Sequence, residues 1–112
     1  MDERTRKYLQ DILFAAEEVE GFFDNRPLVF QEFECNMMLR RAVERNIEII
    51  GEATNNILKE HKDIAITDAR KIVDARNYII HGYDRLSTDI LWSIVINHLP
   101  TLKDEVERLL MT

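Results

Sequence analysis

Residues 30–59, FQEFECNMMLRRAVERNIEIIGEATNNILK, decide the fold. Within them Phe33, Met37, Leu39, Val43, Ile47, Ile50, Thr54 and Ile57 are spaced for a helix, mostly three or four apart, and no proline interrupts them. This spacing lines one side of a 3.6-residue helix, so the stretch predicts a single long helix with one inward face. Gly51 inside it costs about 1 kcal/mol relative to Ala. Close approach by another helix or a slight bend would explain it, with packing the reason expected first.

Upstream, Leu9, Ile12, Leu13, Ala16, Val19 and Phe23 keep the same period from Asp2 to Asp24. This predicts a first helix, ended by Asp24-Asn25-Arg26-Pro27, because the residue before proline is pushed out of the helical region. Downstream, His61-Lys62-Asp63-Ile64-Ala65-Ile66 breaks the pattern. Thr67 is then expected to cap a third helix running to Ile80 or His81, with Asp68 near its positive end and Gly82 as its stop. Ser87 or Thr88 is expected to cap a fourth helix whose Ile90, Leu91, Ile94 and Val95 point inward. Pro100 either opens a final helix carrying Leu102, Val106, Leu109 and Leu110 or kinks one continuous helix. The fold expected is all-α, a four- to five-helix up-down bundle in one domain over residues 1–112.

Composition agrees. Only 3 Gly and 2 Pro occur in 112 residues, leaving long tracts with nothing to break a helix. No run reaches the roughly 20 apolar residues that cross a bilayer, so no membrane association is expected. The N-terminal residues lead into a charged amphipathic segment instead of a secretory signal. Cys35 is the only cysteine, which excludes an internal disulfide and fits a reducing cytoplasm. A net charge of −6 opposes nucleic-acid binding over the whole surface, so any such site must be local. Arg40, Arg41, Arg45, Arg70, Lys71 and Arg85 are candidates for a basic rim. No metal and no cofactor are expected: His61 and His98 have no Cys or His at ligand spacing, and no Gly-rich loop is present to cradle a phosphate. The Met37-Met38 and Phe22-Phe23 pairs are read as core or dimer seam, and Tyr8, Trp92 and Cys35 as packing.

The chemistry concentrates in residues 74–83, DARNYIIHGY, which gather a permanent cation, an imidazole and two phenols at a helix end. At about 100° per residue, Arg76 and Tyr83 share a face, whereas His81 points about 140° away from Arg76. A loosened helix end at Gly82, or a symmetric dimer, would bring the two together. The plain structural alternative has Arg76 paired with an acidic neighbour, His81 at the negative end of the helix and Tyr83 under the next loop.

Arg76, the polar Asn77, His81 after four intervening residues and Tyr83 two further on resemble the Arg-x4-His-x-Tyr signature of the HepT toxins of the HEPN class. Residues 44–53, ERNIEIIGEA, and His98-Leu99-Pro100 after Asp89-Ile90-Leu91-Trp92 also resemble this family, so the likeness covers nearly the whole chain. It implies a helical bundle that forms a homodimer, with two copies of the motif in a cleft, acting as a metal-independent endoribonuclease on an RNA substrate. Arg76 and His81 would be catalytic. His81 would move protons, as imidazole does near neutrality, and Arg76 would stabilise phosphoryl charge. Asn77 and Tyr83 would support the site or bind RNA. The resemblance further implies a toxin-antitoxin partner, a nucleotidyltransferase of the MntA type that adds AMP to Tyr83. The other functional reading is a non-catalytic HEPN adaptor that binds a nucleotidyltransferase or a nucleotide.

Overall fold

The computed structural model describes residues 1–24, 28–81 and 87–112, and every regular element among them is helical. Helix α1 spans Glu3–Phe22, α2 Phe30–Cys35, α3 Met37–Glu60, α4 Ala69–His81, α5 Thr88–Ser93 and α6 Leu99–Leu110, with a π-helical turn over Ile94–His98 joining the last two.

Helix α3 is the centre of the bundle. It packs against α1 on one side and α4 on the other, and α6 closes the far side of α1. The face α3 turns inward carries Val43, Ile47, Ile50, Gly51, Thr54 and Ile57, all buried. Opposite them α1 buries Leu9, Ile12, Ala15, Ala16 and Val19, and α6 contributes Leu102 and Val106. These side chains belong to one hydrophobic cluster, with Phe33 sealing one end beneath Phe23 and Trp92. The expected all-α bundle is therefore observed: four rods, if α5, the π turn and α6 count as one bent rod, plus the short α2.

The long helix expected over residues 30–59 is divided. Asn36 leaves the helical region at φ −106°, ψ 93° and accepts a hydrogen bond from the Leu39 backbone N–H through Oδ1 at 3.0 Å. An asparagine side chain that offers the backbone a local acceptor competes with the helix and starts a new one. The turn carries Met37 and Met38 outward, 57% and 84% exposed, so neither fills the core. Cys35 is likewise exposed rather than packed.

The start of α4 also departs from expectation. The Thr67 hydroxyl donates to Glu105 Oε2 at 2.5 Å, and its backbone N–H lies 3.1 Å from Oε1 of the same carboxylate. Thr67 thereby ties the loop before α4 to α6 instead of capping α4. Nearby, His98 Nδ1 lies 2.7 Å from Asp68 Oδ2, a second link between this loop and the bent rod. Ser87 does cap α5, its Oγ accepting from the Ile90 N–H at 3.2 Å. Ile90 itself is half exposed and does not join the inward stripe.

Pro100 resolves as a feature of one bent rod. Proline cannot donate to the carbonyl four residues back and its ring collides with that carbonyl. Here the chain keeps helical dihedrals through Ser93, Ile94 and Leu99, and the Leu99 N–H reaches back to the Ile94 carbonyl, five residues away. The wider turn makes room for the ring where a regular helix would have to break. At the other end of α6, Arg6 donates from Nη1 to the Leu110 carbonyl at 2.9 Å and from Nη2 to the Thr112 carbonyl at 3.0 Å. Carbonyls left without partners at a helix C-terminus are thus satisfied by a cation.

Candidate functional site

Helix α4 carries most of the chemistry. Ala69, Ile72, Val73 and Ala75 are its buried positions. The face turned away from α3 presents Asp74, Asn77, Tyr78 and His81, residues separated by three, four and seven positions, which a helix places side by side. Together they line an open groove of about 410 Å³. An adjoining hollow of about 290 Å³ shares Asp74 and Tyr78 with it and is walled by Ile72, Ala75, Ile90 and Ile94. A third hollow of about 330 Å³, between α1 and the bent rod, contains no motif residue.

Arg76 stands apart from that groove face, half-buried at the junction of α3 and α4. Its Cβ and Cγ lie against the backbone of Gly51, where an added Cβ would stand 2.3 Å from Arg76 Cβ. From there the side chain runs back toward the groove, and Nη1 donates to Asn77 Oδ1 at 2.9 Å. Among the described residues no carboxylate pairs with this guanidinium. The ion pair allowed for Arg76 by the plain structural alternative is therefore not formed there. The Arg76 Nη1 is oriented by a neutral partner.

The helix spacing holds to the end of α4, which continues regularly to His81. His81 thus lies on the exposed groove face, about 140° around the helix from Arg76. Asn77 connects the two, because it lines the groove with His81 and holds the Arg76 guanidinium. Tyr83, Gly82 and Arg85 fall outside the described residues. Of the remaining basic candidates, Arg45 pairs with Glu48 at 3.1 Å, Lys71 stands 4.0 Å from Asp68, and Arg40 donates to the Glu34 carbonyl. These contacts hold three of the six within their own neighbourhoods.

Asp74 and Tyr78 join the groove although they lie outside the motif, and their spacing from Asn77 and His81 carries the signal along the chain. Spacing along the chain gives no sign of ligands near His61. In the folded chain His61, Glu60 and Asp2 bring a ring nitrogen and two carboxylates within 4.8 Å of one another. Two of the three have structural work: Asp2 caps α1 by accepting from the Thr5 N–H at 2.7 Å, and Glu60 meets Arg4 at 3.5 Å. The hydrogen bonds from Thr5 hold the Asp2 carboxyl below its ordinary range.

Comparison with known proteins places the chain in a family. Residues 12–109 match the family model described as ribonuclease HepT-like. The chain is 35% identical to "Probable ribonuclease HepT" of Thermococcus cleftensis, covering 93% of this chain and 94% of that protein. It is 36% identical to a protein with a provisional RNase designation from Methanocaldococcus jannaschii, covering 91% and 93%. A similarly designated protein of Caldanaerobacter subterraneus subsp. tengcongensis is 32% identical over 94% and 93%. No solved structure gives a significant match. With its family model spanning nearly the whole bundle and its Arg76/His81 helix packed on the central rod, this chain belongs to the ribonuclease HepT-like family, ribonucleases of the HEPN type.

Proposed function

We propose that this protein is the toxin of a toxin-antitoxin pair, an endoribonuclease that cuts RNA without a metal ion, through Arg76 and His81. The observation that carries this reading is the Arg76 guanidinium, held by Asn77 Oδ1 at 2.9 Å beside a groove that also contains His81. In this mechanism the His81 imidazole takes the proton of a ribose 2′-OH as that oxygen attacks the adjacent phosphorus. The bond from phosphorus to the 5′-oxygen breaks, and the leaving oxygen takes up a proton. The products are a 2′,3′-cyclic phosphate end and a 5′-OH end. Arg76 stabilises the charge that builds on the phosphoryl oxygens.

The separation of Arg76 and His81 around α4 supports a symmetric homodimer, in which the two motifs face one cleft and each copy completes the other's site. Exposed Tyr78 in the groove and exposed Ile90 in the adjoining hollow give such a contact an apolar component. The proposed regulator is a nucleotidyltransferase antitoxin of the MntA type that adds AMP to Tyr83, next to the motif, so that the added phosphate repels RNA. Among the described residues no helix is long and apolar enough to cross a membrane; the RNA proposed as substrate is cytoplasmic.

The deciding test is incubation of the purified chain and of its His81→Ala variant with cellular RNA in the presence of a chelator. New 2′,3′-cyclic phosphate ends from the native chain alone are the expected result. No cleavage by the native chain, with the protein folded, would transfer the assignment to a non-catalytic HEPN adaptor that binds a nucleotidyltransferase or a nucleotide.

A further inference from the structure

We infer that Gly51, on a helix that contributes no motif residue, is a positioning residue for Arg76; the inference rests on the catalytic reading of Arg76 given above. Gly51 is buried at the middle of α3, facing α4. A Cβ built there would lie 2.3 Å from Arg76 Cβ, 2.8 Å from Arg76 Cγ and 3.2 Å from the Ile72 carbonyl oxygen.

These three contacts differ in kind. The one to the carbonyl oxygen is tight, and a shift of a few tenths of an ångström would relieve it. The two to Arg76 are far shorter and involve the root of the side chain, which is fixed to the α4 backbone. Rotating the far end of the arginine cannot relieve them. Only glycine at position 76 would remove both carbons, so α3 and α4 can approach this closely with a side chain at 76 only because position 51 has none. The missing Cβ makes the room in which the root of the arginine sits.

The consequence reaches the site. With its first two carbons laid on bare backbone, the Arg76 side chain has one wall fixed beneath it. Its guanidinium then meets Asn77 Oδ1 at 2.9 Å, at the edge of the groove that holds His81. Any atom added at Gly51 moves α4 or redirects the arginine. Displacement of a catalytic group by about 1 Å can cost on the order of 100-fold in rate.

The test is a kinetic double-mutant cycle on RNA cleavage with Gly51→Ala, Arg76→Gly and the double variant, with Arg76→Ala measured alone for the catalytic role of the arginine. Val19→Ala, on α1, serves as a control for general destabilisation. Gly51→Ala is expected to lower kcat by about 10- to 100-fold, with KM changing much less, and to cost nothing further in the Arg76→Gly background, where both colliding carbons are absent. The Val19→Ala control should keep kcat. Full activity of Gly51→Ala, additive losses in the double variant, or an equal kcat loss in Val19→Ala would each overturn the proposal. An Arg76→Ala protein that cleaves normally would instead overturn the catalytic reading itself.

If Gly51→Ala does not fold, melting curves take over. Gly51→Ala/Arg76→Gly should melt close to Arg76→Gly alone, because the colliding carbons are gone. Failure of Arg76→Gly to restore folding would overturn the proposal.

Discussion

Arg76 and Asn77 are sequence neighbours whose side chains bond to each other, Nη1 to Oδ1 at 2.9 Å. Adjacent residues on a helix diverge by about 100°, so this bond draws the guanidinium away from the α3 side and toward the outer face of α4. The asparagine thus connects an arginine rooted against Gly51 with a histidine exposed at the helix end.

Asn77→Ala should leave the bundle intact and lower RNA cleavage about 10-fold or more. The basis is one hydrogen bond to a charged group, about 1.5–3 kcal/mol, made where Arg76 must be oriented. Asn77→Asp is the sharper variant, because its carboxylate would pair with Arg76 and compete with phosphate. Cleavage rates for the two variants check this, and an Asn77→Asp enzyme as active as the wild type would contradict it.

Asn36→Ala should destabilise the protein by about 1 kcal/mol through loss of the cap on α3. Removing the competing acceptor also favours continuation of α2 into α3, so helical content should rise slightly while the melting temperature falls. Circular dichroism and thermal melts measure both. A fall in helical content would show that Asn36 does not set the break.

Asp68→Ala should weaken the link between the loop before α4 and the bent rod, where His98 Nδ1 meets Asp68 Oδ2 at 2.7 Å. Both side chains are about a quarter exposed, which places the cost near 1 kcal/mol rather than at the value of a buried pair. His98→Ala should cost a similar amount, and the double variant should cost less than the sum. Denaturant unfolding of the three variants gives the coupling.

Stability should decline at both extremes of pH through two identified surface groups. Hydrogen bonds from Thr5 lower the Asp2 carboxyl pKa on folding. Its contribution is therefore present above the unfolded value, about 3.9, and is lost as pH falls through the lower folded value. The hydrogen bond to Glu20 raises the Lys103 ammonium pKa. That contribution is complete below the unfolded value, about 10.4, and disappears as pH rises through the higher folded value. Asp2→Asn should flatten the acid limb of the melting curve against pH, and Lys103→Met the alkaline limb.

Much of this architecture was legible in order along the chain. The period of Leu9, Ile12, Ala16 and Val19 and that of Val43, Ile47, Ile50, Thr54 and Ile57 specify two inward faces. Ser87 marks a helix start by the same chemistry that its Oγ performs at the Ile90 N–H. The break at Asn36 was less visible, because the hydrophobic period runs straight across it. Whether an asparagine caps or continues a helix depends on where the preceding turn packs, here Phe33 against Phe23 and Trp92. Thr67 has the chemistry of a cap, but a carboxylate 38 positions later claims its donors.

The sequence by itself determined that the chain is a helical bundle, the inward faces of α1 and of α3 from Val43 onward, and the family to which the chain belongs, because helix periodicity and motif spacing are local properties of the chain. Only the tertiary structure decided what surrounds the motif: that Arg76 roots on Gly51, that its guanidinium meets Asn77, and that Asp74 and Tyr78 wall the groove with His81. Those relationships depend on the distance and rotation between α3 and α4. Contacts among side chains from all along the chain fix both, and no local pattern encodes them.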